Sequence, residues 1–166
     1  MHSFVSCLMH CVFSTKERRR LITPDLQERL YPYLGGIARE NKMKVLEIGG
    51  VEDHVHALIS IPSTLSIAKA MQLLKGNSSK WIHETFPKKR LFEWQEGYGA
   101  FSISASGVTR TVRYIRSQKE HHAHHSFRDE LMRVSKRTAF NTNLGCLIDF
   151  FRPCGTRHCY STVPQR

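Results

Sequence analysis

Apolar residues alternate at the start of the chain: Val5, Cys7, Met9, Cys11 and Phe13 fall on one side of an extended run. That period of two predicts a half-buried strand. Residues 16–20 form a basic turn, which is either a solvated loop or a contact for phosphate. Thr23-Pro24-Asp25 is a helix-start signal with proline at the first helical position. Leu26, Leu30, Tyr33, Leu34 and Ile37 then supply a helical stripe that ends near Asn41. Two strands follow at residues 44–48 and 54–61, with Gly49-Gly50-Val51-Glu52-Asp53 as the hairpin connection. Pro62 closes the second strand, and Ser63 or Thr64 is expected to cap a helix carrying Ile67, Met71, Leu74, Trp81 and Ile82. That helix should stop before Pro87; after Lys88-Lys89-Arg90 and an aromatic segment at 92–98 comes a short strand at 100–103. The order β-α-β-β-α-β predicts an α+β fold, a ferredoxin-like antiparallel sheet, with a further helix over about 106–122 appended. There is no internal repeat or linker.

Composition narrows the class. In 166 residues, 25 Lys+Arg against 14 Asp+Glu give a formal charge of +11, and the chain is 40% hydrophobic, enough for one core. Wholesale disorder and a membrane-spanning helix are both excluded by pattern, and the first residues make a poor signal peptide. The five cysteines are odd in number and contain no CxxC pair, against a disulfide framework or a zinc ribbon. The expectation is a cytoplasmic, strongly basic single domain whose first suspected partner is a polyanion.

The chemistry centres on His54-Val55-His56. Because an HxH pattern recurs at His122-Ala123-His124, the pattern alone is weak. Context separates the two. Val55, Ala57, Ile59 and Ile61 are apolar and claim the core face of the strand, so His54 and His56 share the opposite face. Two imidazoles so placed can reach one divalent cation, or simply pack against an overlying helix. In the last helix Val108, Val112 and Ile115 form the predicted buried stripe, and Tyr114, Gln118, His121 and His125 fall on another face. Tyr114 and Gln118, one turn apart, are either a polar edge or a nucleophile beside a metal ligand. Arg110, Arg113, Arg116 and Lys119 surround them with charge suited to phosphate. Attack on a phosphodiester needs a nucleophile, a Lewis acid and fixed geometry, and two His plus one oxygen donor leave positions for phosphate oxygens, favouring Mg²⁺ or Mn²⁺. Lys75 could touch DNA or be merely solvated; Tyr98 and Trp94 could stack on bases or pack at the sheet edge.

Four blocks then carry a resemblance. Asp53-His54-Val55-His56 resembles the DHVH block of the HUH single-tyrosine transposases of the IS200 type and their repeat-associated relatives. Leu74-Lys75-Gly76-Asn77-Ser78-Ser79 is similar to that family's LKG-x-SS segment, and Trp94-Gln95-Glu96-Gly97-Tyr98-Gly99-Ala100-Phe101-Ser102 to its WQ-x-GYGAFS block. Tyr114-Ile115-Arg116-Ser117-Gln118-Lys119-Glu120-His121-His122 resembles its tyrosine helix, YI-x-x-Q-x-x-HH. The blocks run in order over about residues 3–133. The resemblance implies binding of single-stranded DNA hairpins at element ends, cleavage through a 5′-phosphotyrosine link, and rejoining by the freed 3′-hydroxyl. It implies Tyr114 as nucleophile, with His54, His56 and Gln118 holding the metal. It also implies a homodimer in which the tyrosine helix of one subunit can complete the site of the other. No nucleotide cofactor is expected, since the protein link conserves the phosphodiester energy and no GxxxxGK[ST] loop is present.

The resemblance fades after about Arg133, and the cysteine-containing stretch at 139–166 matches no block of the family. It reads as a divergent tail, with a frame change or a decayed mobile-element end as one account. Two rivals stand beside the transposase: a plasmid replication initiator of the same chemistry, and a non-catalytic nucleic-acid-binding protein of ferredoxin-like fold.

Overall fold

Alternation along the strands decides how the sheet is covered. The computed structural model describes residues 5–118 and 120. Strand β1 spans Leu8–Ser14, helix α1 Pro24–Glu40, β2 Lys44–Val51, β3 His54–Ser60, α2 Ile67–Thr85, β4 Gly99–Ser102 and α3 Val108–Arg116. The strands form one antiparallel sheet in the order β2-β3-β1-β4, the arrangement expected of β-α-β-β-α-β. Met9, Cys11 and Phe13 of β1 and Val55, Ala57 and Ile59 of β3 project from one face into the main core. There they meet Leu26, Leu30, Leu34 and Ile37 of α1 and Ala70, Met71, Leu74 and Ile82 of α2. Nearly all of β1 is buried, so the opposite face is covered as well. Among the described residues no helix is long and apolar enough to cross a membrane.

Helix α3 lies against that opposite face. Its seat depends on Gly49, which pairs with His56 in the β2–β3 ladder. A Cβ at Gly49 would stand 2.6 Å from the Ile115 carbonyl oxygen and 2.8 Å from its Cγ2, closer than packed atoms tolerate. At the sheet edge Arg116 adds an ion pair to Glu47 at 2.7 Å. Ile115 is buried beneath the helix. The helix is thus held by apolar burial, close backbone approach and one edge pair.

Four expectations are corrected. Gly49, Gly50 and Val51 belong to β2, leaving only Glu52 and Asp53 as the turn, because the ladder continues to Val51↔His54. The α2 cap is Ser66, whose Oγ accepts from the Lys69 amide at 3.2 Å. Ser63 and Thr64 are instead consumed in a turn closed by the Leu65 amide on the Pro62 carbonyl. Helix α3 starts at Val108 rather than about 106, entered through a 3-10 turn at Ala105–Gly107. A turn at Ser117 interrupts it, Gln118 and Glu120 are helical again, and the expected end near 122 lies outside the described residues. Its buried residues are Thr111 and Ile115 rather than Val108 and Val112. Thr111 can be buried because its hydroxyl donates to the Gly107 carbonyl at 3.0 Å, satisfying the polar atom within the helix.

Two outcomes follow. Gly49→Ala should cost about 1–3 kcal/mol of stability through overpacking, read by urea unfolding; an unchanged midpoint would show that α3 is loosely seated. Burial, reinforced by the charge of Cys7, pushes the Cys11 thiol up to about 12. Only the thiolate alkylates, so iodoacetamide at pH 8 should spare Cys11 in the native protein and label it after unfolding. Peptide mapping that finds Cys11 labelled as fast as half-buried Cys7 would contradict the packing.

Candidate active site

The face under α3 carries a row of polar side chains that a buried surface would normally exclude. His54 and His56 point there from β3, with His10 and Ser14 from β1, and each of the four is at most 2% exposed. The register explains the row: Ser14 pairs with His54 and Val12 with His56, which sets His10 diagonally beside His56. A buried imidazole needs its ring nitrogens satisfied. His54 Nδ1 lies 2.6 Å from Asp53 Oδ1, and His56 Nδ1 lies 2.9 Å from His10 Nε2. A carboxylate accepts only, so His54 carries its proton on Nδ1 and keeps Nε2 as the basic nitrogen.

Asp53 is itself shared. Its other oxygen meets Arg18 at 2.5 Å. Burial would push the Asp53 carboxyl up, but the His54 hydrogen bond and the charges of His54 and Arg18 outweigh it and hold the group below the usual carboxylate range. An ionised Asp53 fixes the His54 ring in the manner of the outer partners of metal-bound histidines.

Helix α3 brings two more groups. The Tyr114 ring stands edge-on to His56, with centroids 5.8 Å apart, and 6.0 Å from the His10 ring. The His54 and His56 rings are 5.0 Å apart. Gln118, 1% exposed, has its amide nitrogen 3.5 Å from the Tyr114 carbonyl, while its Oε1 is buried with no hydrogen-bond partner among the described residues. An amide oxygen left so is costly unless something occupies it. No three His, Cys, Asp or Glu side chains converge as a metal site among the described residues. The donor set available is two imidazole Nε2 atoms, both buried, and one amide oxygen. That mixture fits a divalent cation that retains open positions.

The other sequence-derived candidates separate. Arg110 and Arg113 are exposed on α3, whereas Arg116 is engaged by Glu47. Lys75 is not merely solvated: its ammonium donates to the carbonyls of Gln95 at 2.7 Å and Gly97 at 2.6 Å, tying α2 to the segment before β4. Tyr98 is half-buried against the core. Trp94 packs edge-on to Phe13 and Phe92 and donates its indole N–H to Ser78 Oγ at 3.0 Å, which makes it a packing residue. Lys119, His121, His125 and the tail at 139–166 lie outside the described residues. His10 is the residue that sequence reading missed. Its signal was available, since the alternation of β1 sets His10 on the face opposite Met9 and Cys11, but only the register shows that this face meets His56.

Comparisons with known proteins give the family and the fold. The chain is 28% identical over 125 residues to the transposase of insertion sequence element IS200 from Salmonella typhimurium, covering 72% of this chain and 81% of that protein. It is 26% identical over 116 residues to the ISDra2 transposase TnpA of Deinococcus radiodurans, covering 67% and 83% respectively. The fold is similar to the crystal structure of a candidate transposase from Deinococcus radiodurans, with a TM-score of 0.58 at 21% identity over 71% of this chain and 95% of that one. It is also similar to a REP-associated tyrosine transposase bound to a REP hairpin, with a TM-score of 0.56 at 12% identity over 74% and 72%. The model of the family described as "Transposase IS200 like" matches residues 3–118, and on that match the chain belongs to the IS200-like transposases.

Proposed function

We propose that this transposase acts on single-stranded DNA, cutting and rejoining the strand through a covalent bond between Tyr114 and a 5′-phosphate. The observation that carries the reading is the Tyr114 ring lying edge-on to His56 above a buried imidazole pair. In the cut, the Tyr114 phenol oxygen bonds to phosphorus, the bond to the 3′ oxygen breaks, and the phenol proton is lost as the 3′-hydroxyl gains one. Rejoining is the reverse displacement by a 3′-hydroxyl, so no nucleotide cofactor enters the balance.

A phenol of ordinary pKa near ~10 is a weak nucleophile at neutral pH, so the phosphate must be activated. His54, His56 and Gln118 would hold Mg²⁺ or Mn²⁺, which when bound polarises the phosphate and offsets its negative charge. The chain's own part is orientation. Asp53 holds the His54 ring with Nε2 available, and His10 can accept from His56 Nδ1 so that Nε2 of that ring is also the basic nitrogen. Helix α3 holds Tyr114 at a fixed height over the pair. Arg110 and Arg113, exposed on the same helix, supply positive charge to the approaching backbone. A hairpin substrate is part of the proposal, supported by the REP hairpin in the structurally similar transposase. A homodimer is part of it too. Within one chain the Tyr114 and His56 rings are in contact, which supports a site that a protomer can build with its own tyrosine, while exchange of the tyrosine helix between subunits is the alternative assembly.

The test uses single-stranded oligonucleotides from both flanks of the gene, with Mg²⁺ or Mn²⁺, on denaturing gels. The parent protein should form a protein–DNA adduct. Tyr114→Phe should lower adduct formation on the order of 10⁴-fold or more, as removal of a nucleophile does, while strand binding stays near the parent level. His56→Ala should remove the adduct as well. Binding with no adduct, in either metal and on either strand, would point instead to a non-catalytic single-strand binder.

A further inference from the structure

A second basic feature lies outside the Tyr114 site. Arg19, Arg20, Lys88 and Lys89 line a concavity of about 410 Å³ whose apolar lining includes Leu91 and Phe92, and no carboxylate lines it. Four like charges around one hollow repel one another, a cost that a bound polyanion relieves. Two of the cations are held in place. Arg19 donates to the Leu91 carbonyl at 2.9 Å, and Lys89 donates to Thr23 Oγ1 at 2.6 Å. The Asp25 carboxyl is held below its ordinary range chiefly by a hydrogen bond from the Thr23 side chain and secondarily by the charge of Lys89, so part of the Lys89 charge is already offset. Arg20 and Lys88 are exposed and form no ion pair among the described residues.

The turn that aims these groups is built with strain. Glu17 and Arg18 sit at φ 56° and 55°, a left-handed conformation that non-glycine residues seldom adopt. It is pinned from several sides: Thr15 Oγ1 donates to the Arg19 carbonyl at 2.6 Å, the Glu17 amide donates to Gln95 Oε1 at 3.0 Å, and Lys16 pairs with Glu93. The same segment is fastened to the residues just before His54. The Thr15 amide donates to the Asp53 carbonyl and the Ile22 amide to the Glu52 carbonyl, each at 2.9 Å. The basic hollow is therefore fixed to the end of the sheet from which His54 begins.

The geometry points to this hollow as a docking site for the phosphate backbone of single-stranded DNA, where the strand continues beyond the phosphate at Tyr114, with exposed Leu91 offering an apolar surface to a sugar or base. The inference rests on the reading of the chain as a single-strand enzyme. Its test is the salt dependence of binding to a flank oligonucleotide, by fluorescence anisotropy on the full chain. Arg20→Ala with Lys88→Ala should weaken binding and make the log–log salt slope shallower by about 1.4, two phosphates at roughly 0.7 each. Lys69→Ala with Lys80→Ala, exposed cations of α2 removing the same charge, should leave the slope at the parent value. The charge-keeping Arg20→Lys with Lys88→Arg should restore it, and thermal unfolding checks that all variants fold. An equal loss in both alanine pairs, or none in the first, overturns the site. A parent protein that binds no single strand overturns it too. A slope difference without any Tyr114 adduct would sustain the site and fail the catalytic reading; an adduct with no slope difference would do the reverse.

Discussion

The absence of a side chain at Gly49 is the constraint on which the site depends. A helix packed on a sheet is normally held off by the side chains between them. Here the Ile115 carbonyl oxygen lies only 2.6 Å from where a Cβ of Gly49 would stand, so α3 rests directly on the β2–β3 ladder. Gly49 pairs with His56, and Ile115 is the neighbour of Tyr114. One close approach therefore sets the height of the tyrosine above the imidazoles. The Glu47–Arg116 pair is exposed on its arginine side and adds little energy, but it restrains rotation of the helix about that contact.

Below the helix, the sheet buries polarity that must be satisfied. Asp53 on His54 and His10 on His56 divide that task between a turn and a neighbouring strand. The Asp53 bond also dictates that His54 Nε2 is left basic, whereas in the His10–His56 pair either ring can be the donor. Asp53 extends the network outward through Arg18 into the strained basic turn. The basic turn and the imidazole pair are thus parts of one connected structure.

Much of this was legible in the sequence. The apolar run Val55, Ala57, Ile59 fixed the face of His54 and His56, because a period of two admits one answer when a strand has one apolar side. The element order predicted the sheet, and spacing by one turn joined Tyr114 to Gln118. What sequence could not supply were quantities set by tertiary contact. Gly49 read as part of a loop, since nothing local says that a helix 66 residues later needs the space. Thr111 lies outside the apolar stripe of Val108, Val112 and Ile115, and its bond to Gly107 is visible only once the helix start is known. His10 lay unremarked on the far face of β1, and only the diagonal register with His56 gives it a role. Lys75 read as either a DNA contact or a solvated cation, whereas two backbone carbonyls claim it.

The most direct test of the central claim is to identify the atom that carries DNA. The protein would be incubated with a flank oligonucleotide and Mn²⁺, digested with nuclease and protease, and its peptides mapped by mass spectrometry. The account predicts a residual nucleotide on the peptide containing Tyr114, with fragmentation placing it on the phenol oxygen. A nucleotide on another tyrosine, Tyr98 for instance, or on no residue despite strand cleavage, would contradict it.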